Sequence, residues 1–295
     1  MARPFEPIEW PTVGLAAALY AAFGVLTWFH AALPVSFVAV AGGSLVALHG
    51  SLQHEVVHGH PTRWRWINEV LIFPSLWLWL PFRLYRDSHL HHHRQSILTD
   101  PAEDPESFYV DAEAWVRLPR LVRALLWVNN TLVGRLAIGP VLTIGRFLAA
   151  EIRDTHWNPS RLGAWLAHAA GAGLVVAWVA GVCAMPIADY FLIFVYPGVA
   201  LTLLRSFAEH QAHPDPARRT TIVEAEAPFA VLFLNNNLHV VHHRHPRLPW
   251  YRLPSVYARN RDAFGADSGG AVYRGYRAVA AKFFLAPRQS PIHPG

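Results

Sequence analysis

The chain contains a single cysteine, Cys183, among 295 residues. One thiol excludes an intramolecular disulfide and a cysteine-ligated iron–sulfur cluster, and its place in an apolar run makes it a packing residue. Charge is also scarce, at 15% of residues against 53% hydrophobic. Lysine is all but missing, since all but one of the 25 basic residues are arginine. No Gly-x-Gly-x-x-Gly follows a strand. Gly171-Ala-Gly173 lacks the third glycine and lies in an apolar stretch, which gives it a helix-packing role. The chain therefore carries no nucleotide-linked electron carrier of its own. No nucleic-acid-binding motif accompanies the basic residues, so nucleic acid is not an expected partner. There is no internal repeat and no long low-complexity linker. A single domain over 1–295 is the economical reading, with a proline-rich tail after about 285 expected at the surface or disordered.

What is abundant is apolar length. Twelve Trp and a positive mean hydropathy make the chain too apolar for an ordinary soluble domain of this size. Four stretches without internal Lys, Arg, Asp or Glu meet or approach the ~20 residues needed to cross ~30 Å of hydrocarbon. They are 11–32, 34–54, 163–184 and 190–204, the last continuing to about 210. Leu33-Pro34 separates the first two and Met185-Pro186-Ile187-Ala188-Asp189 the last two, so each pair reads as a tight helical hairpin. The basic residues concentrate in 61–161 and 205–288, which the positive-inside rule places in the cytoplasm together with both termini. A bacterial inner membrane is the expected location. The amino-terminal MARPFEPIEWPT carries acidic residues and no small-residue cleavage site follows soon after, so the first span reads as an anchor.

Two further apolar stretches are read as lying at the interface. Residues 70–82 contain Pro74 and Pro81 and are too short to span, which suits an interfacial or re-entrant helix. Arg123, Arg135 and Arg146 recur through 121–150 and predict one basic face on the membrane surface, attracted to anionic lipids. The expected fold class is all-α and integral to the membrane: four transmembrane helices as two hairpins, interfacial helices, and a cytoplasmic histidine-rich helical cap.

Half of the eighteen histidines fall into ligand-like spacings. The clusters are His54-Glu-Val-Val-His58, His89-Leu-His-His92-His93 and His239-Val-Val-His242-His243, with His210 apart in Arg205-Ser-Phe-Ala-Glu-His210. On a helix each residue advances ~100°, so His54 and His58 share a face and each i, i+3, i+4 triplet lies within an arc of ~100°. His91 points the other way and is left out. The second and fourth spans run directly into His54/His58 and His210, so these emerge on one side. Continued from residue 34 to His58, the second helix is about 37 Å long and carries the first pair about a turn beyond the hydrocarbon.

His54-Glu55-Val-Val-His58 taken alone is the H-E-x-x-H string of zinc metallopeptidases. A catalytic zinc keeps three protein ligands, which would leave six clustered histidines without a role, so a zinc membrane hydrolase is the weaker reading. Nine imidazoles can instead share two irons, with positions left for O2. Such a site attacks an unactivated C–H bond, which suits an apolar substrate delivered from the bilayer. A non-catalytic membrane metal carrier or sensor is the alternative from another class.

The three ordered boxes resemble those of the membrane fatty-acid desaturase and hydroxylase superfamily, which includes carotenoid ketolases and hydroxylases and alkane hydroxylases, over about residues 10–255. His58-Gly59 is similar to the ending of the first box in many members, and Thr99-Asp100-Pro101-Ala-Glu-Asp104-Pro105 to the acidic segment after the second. Ala208-Glu209-His210 resembles the Glu-His element of alkane hydroxylases, which implies that His210 is the ninth ligand. His242-His243-Arg244-His245-Pro246 and the following Pro249-Trp250-Tyr251 are similar to ketolase-like members. Unlike some members, the chain shows no fused cytochrome-type haem domain and no amino-terminal regulatory extension.

The resemblance implies a di-iron, O2-dependent oxidoreductase that desaturates or hydroxylates a lipid acyl chain or similar hydrocarbon, with a carotenoid ketolase or hydroxylase as the alternative. An external ferredoxin, rubredoxin or flavodoxin with its reductase is expected to supply electrons. Carboxylates suited to accept the second ring N–H of a ligating histidine are Glu55, Asp100, Asp104, Glu106 and Glu209. Asp100 and Asp104 each precede proline and could equally shape turns. His49, His60, His213 and His245 are read as hydrogen-bond partners or solvated residues, and Asn235-Asn236-Asn237 as the N-cap of the third box helix, with an amide ligand as the weaker alternative.

Overall fold

The computed structural model describes residues 8–94, 97–154 and 158–295. The stretch 1–7, in front of the expected anchor, lies outside them. The protein is mostly helical, and among the described residues four helices are long and apolar enough to cross a membrane: Trp10–Trp28, Val35–Val57, Pro159–Val182 and Ile187–Glu209. They bear out the four expected spans, with boundaries shifted by a few residues. Large side chains such as Val40, Leu166 and Leu192 stand outward on them, as lipid-facing positions do. The chain divides into two compact units that alternate along the sequence, 1–85 with 154–199 and 249–251, and 86–153 with 200–248 and 252–295.

In the first unit the second span packs closely on the start of the fourth. A Cβ on Gly42 would stand 2.5 Å from the Phe194 ring, and one on Gly198 2.6 Å from Val46, so small residues set the approach of these helices. Phe23 meets Tyr190 and Phe194 edge-on beside them.

Residues 72–81 are irregular backbone, where the sequence suggested a helix. The short helix Arg65–Leu71 stops ahead of Pro74, which cannot continue it. Ile72, Leu76, Trp77 and Trp79 are nonetheless buried. Their backbone polar groups therefore need partners, and the spans supply them. Tyr20 donates its hydroxyl to the Pro74 carbonyl at 3.3 Å, Tyr190 to the Leu76 carbonyl at 2.8 Å, and His168 Nε2 to the Leu78 carbonyl at 3.0 Å. Gly171 admits the Phe73 carbonyl oxygen, which would lie 2.2 Å from a Cβ there. The packing role expected for Gly171 is thus against irregular backbone. Gly173 has no such neighbour.

In the second unit, Leu204, Phe207, Phe233, Tyr276, Val279 and Phe283 form one core. Ile222, Leu238, Val240, Val241, Leu253 and Phe264 form another. A two-residue parallel pair, Ile222–Val223 with Val272–Tyr273, lies beside them. Three short helices, Arg120–Asn129, Leu132–Ala137 and Gly139–Asp154, replace the long basic amphipath read from 121–150. Arg135 is buried, donating from Nε to the Asn129 carbonyl at 3.0 Å with its guanidinium 4.0 Å above the Phe108 ring. Arg146 donates to the Ser107 carbonyl at 2.5 Å. Two of the three arginines expected to share a membrane-facing surface are thus turned onto protein carbonyls.

The tail after 285 lies at the surface and is tied to its unit by backbone bonds. Val110 and Ile292 form a parallel bridge, and Arg288 donates its backbone N–H to the Asn130 carbonyl at 2.8 Å.

Candidate metal centre

The helix Val35–Val57 ends where the first histidine pair begins to be useful. Gly59 takes φ +89°, which lets the His60 N–H reach the Glu55 carbonyl and the Gly59 N–H reach that of Val56. This is a left-handed helix stop that favours glycine. It explains the His58-Gly59 dipeptide as a backbone requirement. His54 and His58, in the first unit, hold their rings 4.9 Å apart.

Seven of the sequence-selected histidines come together in the second unit. Helix Phe82–His92 carries His89 and His92 with His93 at its end, and helix His239–Arg244 carries His239, His242 and His243. Between the latter, Val240 and Val241 are buried in the apolar core, which fixes the rotation of the helix about its axis. His210 follows the fourth span and is held by a bridge to Thr220. The ligand atoms of His92, His210, His239 and His243 lie within 4.8 Å of one another, as do those of His89, His93 and His242. The two sets adjoin, since the His93 and His243 rings stack at 4.3 Å.

The hydrogen-bond network assigns the tautomers. His92 Nδ1 faces Asp104 at 2.8 Å, His210 Nδ1 faces the Arg219 carbonyl at 3.3 Å, and His239 Nδ1 faces the Asn236 carbonyl and side-chain oxygen, both at 3.2 Å. Each acceptor draws the proton to Nδ1 and leaves a lone pair at Nε2. These Nε2 atoms are the ones that converge, at 3.0 Å for His92–His210 and 2.9 Å for His210–His239. His89 repeats the pattern, with Nδ1 at 2.8 Å from Glu106 and Nε2 at 3.0 Å from that of His93. Lone pairs converging at this distance repel, and a cation among them turns the repulsion into coordination. The residues fit metal ions.

The local charges agree. Burial drives His210, His239 and His243 well below the usual histidine range, assisted by neighbouring imidazoles, and takes His93 to about 2. These rings are neutral and ready to ligate. Burial also opposes a charge on His92, yet the Glu106 and Asp104 carboxylates hold it at about 9. A metal cation at Nε2 would take the place of the second proton that these carboxylates favour.

Of the carboxylates singled out in the sequence, Asp104 and Glu106 face His92 and His89 of the two sets, as described. Glu209 stands 3.3 Å from His239 Nδ1, accepts from Asn236 at 3.2 Å and pairs with Arg205 at 3.0 Å. Glu55 accepts from the Trp250 backbone N–H at 3.2 Å. Asp100 accepts from the Ala102 and Glu103 N–H groups and shapes a turn. The asparagine run does not cap the third box: the N-cap position is Leu238, without a side-chain bond. Asn236 instead joins Glu209 to His239, and Asn237 donates to the Val223 carbonyl at 2.7 Å.

His49 meets Tyr20, His60 meets Glu9, and His213 accepts from the Asp215 N–H. None of these three, nor His91 or His245, joins either set. The roles of the Arg219 carbonyl and of the tail residues against His210 were not readable from sequence, because nothing local marks them.

Helices long and apolar enough to cross a membrane, and buried histidine sets that could hold metal ions, are the features expected of a membrane metalloprotein. The chain belongs to the fatty acid desaturase family, whose model, described as "Fatty acid desaturase", matches residues 26–276. It is a membrane enzyme of the desaturase/hydroxylase type. None of the curated proteins matches the chain.

Proposed function

We propose that the protein is a di-iron, O2-dependent oxidoreductase that desaturates or hydroxylates a lipid acyl chain or similar hydrocarbon. One metal is assigned to His92, His210, His239 and His243, and the other to His89, His93 and His242; His54 and His58 are proposed as further ligands on the strength of the first-box spacing. The observation that carries this reading is the convergence of Nε2 lone pairs in two adjoining sets.

The number of imidazoles favours iron over zinc, whose catalytic sites take three protein ligands. Neighbouring nitrogens stand 2.9 to 3.1 Å apart. Glu55 also engages a backbone N–H, unlike a carboxylate poised to activate water on zinc.

Two irons held here would supply the reduction of O2 and the abstraction of hydrogen from an unactivated C–H bond. The chain's own contribution is to fix the ligands. Asp104, Glu106, the Arg219 carbonyl and Asn236 lock the tautomers, and the carboxylates offset the metal charge. Desaturation takes O2, two electrons and two protons and yields a double bond and two waters; hydroxylation yields an alcohol and one water. The two electrons come from an external ferredoxin, rubredoxin or flavodoxin system. The arginine distribution supports a bacterial inner-membrane enzyme with its histidines and both termini cytoplasmic, beside anionic lipid.

The test is reconstitution of iron-loaded protein with ferredoxin, ferredoxin reductase and NADPH in lipid vesicles. A new double bond or hydroxyl group that requires O2 supports the proposal. Absence of product from several acyl chain lengths, with pigment modified in a carotenoid-producing host, would move the assignment to a carotenoid ketolase or hydroxylase.

A further inference from the structure

We infer that residues 288–293 form a strap that positions His210 and His92, and thereby governs occupancy of the His92/His210/His239/His243 set. The inference rests on the two-metal reading above.

The fourth span ends at Glu209, and the last carbonyls of a helix have no partner within it. Here the tail provides one. The Arg288 guanidinium donates to the carbonyls of Phe207 and Ala208, and at 2.5 Å to that of His210 itself. A cation at this position also complements the negative end of the helix. Two residues beyond the ligand, Gln289 receives the Ala212 N–H at 2.8 Å and returns a bond to the Ala212 carbonyl at 3.0 Å. The backbone carrying His210 is therefore gripped at its own carbonyl and just beyond it.

The far end of the strap reaches the acidic segment after the second box. Val110 donates to the Pro291 carbonyl and receives the His293 N–H, both at 2.9 Å. His293 Nε2 lies 3.1 Å from the Thr99 hydroxyl. The Thr99 N–H in turn donates to Asp104 at 2.7 Å, and the other oxygen of Asp104 holds His92. Thus one six-residue span of tail meets both the His210 backbone and the support of His92, and the Nε2 atoms of these two histidines stand 3.0 Å apart. The Arg288 end bears on one metal set alone, so it should affect the two sets unequally.

The experiment compares wild type, Arg288→Gln and Arg288→Lys, purified in detergent after expression with iron-57, by iron content and Mössbauer spectroscopy. The expected result is a fall from about two irons per chain toward about one in Arg288→Gln, with the spin-coupled signal replaced by an uncoupled one. Arg288→Lys, which keeps the charge and loses the fork, should recover part of the signal. Iron content and spectrum unchanged in Arg288→Gln would overturn the strap.

Amide hydrogen exchange over 207–212 and 99–107 gives a readout independent of metal. Faster exchange in both segments of Arg288→Gln and of the variant truncated after residue 286 supports the strap, and unchanged exchange in both overturns it. Wild type without iron would defeat the two-metal reading, and the exchange result would still decide the strap. If Arg288→Gln does not accumulate, the same comparison is made with Arg288→Lys and His293→Ala.

Discussion

Asp104 and His92 form a buried pair, with the carboxylate 2.8 Å from Nδ1 and both side chains almost wholly enclosed. Because Asp104 fixes the proton on Nδ1, it turns Nε2 toward His210. Asp104→Asn retains an oxygen acceptor and loses the charge, and is expected to weaken iron binding ~10–100-fold while the protein still inserts in the membrane. Iron retained through a chelator titration as in wild type would contradict this role.

His91 and His92 make a stricter comparison, being neighbours on one helix. His92 belongs to a metal set and His91 to neither. His92→Ala should abolish turnover, whereas His91→Ala should keep activity within a few-fold of wild type. Equal losses in an O2-dependent product assay would show that the helical phase assigned to the second box is wrong.

The first and third boxes were legible in the sequence because a helix converts spacing directly into direction. Val240 and Val241, between His239 and His242, prove to be buried in the apolar core as well. The spans were legible for the same reason, as apolar length is a local property. Residues 72–81 were not, because their stability depends on hydroxyl and imidazole donors from Tyr20, Tyr190 and His168, far away in the chain. Arg135 and Asn236 were misassigned on similar grounds: a basic residue in an apolar stretch and an amide before a helix have common surface roles, and only tertiary partners override them.

Gly171 and Gly173 test the irregular segment. A methyl group at Gly171 must displace the Phe73 carbonyl, while one at Gly173 meets nothing within 4 Å. Gly171→Ala is expected to cost about 1–3 kcal/mol of stability and Gly173→Ala almost none. Thermal unfolding in detergent distinguishes them, and indistinguishable midpoints would count against the packing described.

Glu224 links stability to acid pH. Hydrogen bonds from Arg261 at 2.6 and 2.9 Å, opposed by burial and helped by the Tyr257 hydroxyl, hold its carboxyl below the usual range. A depressed carboxyl contributes stability above its unfolded pKa of ~4.3, and that contribution is lost as pH falls through the lower folded value. Glu224→Gln should therefore be less stable than wild type at neutral pH and converge with it in acid. Tryptophan fluorescence across an acid titration reads this directly, and a constant difference at every pH would be inconsistent with it.

The central claim is tested most directly by metal analysis combined with Mössbauer spectroscopy on protein grown with iron-57. The account predicts about two irons per chain in a coupled, histidine-rich environment. One tightly held zinc with negligible iron, reproduced under iron-replete expression, would contradict it and return attention to His54, Glu55 and His58.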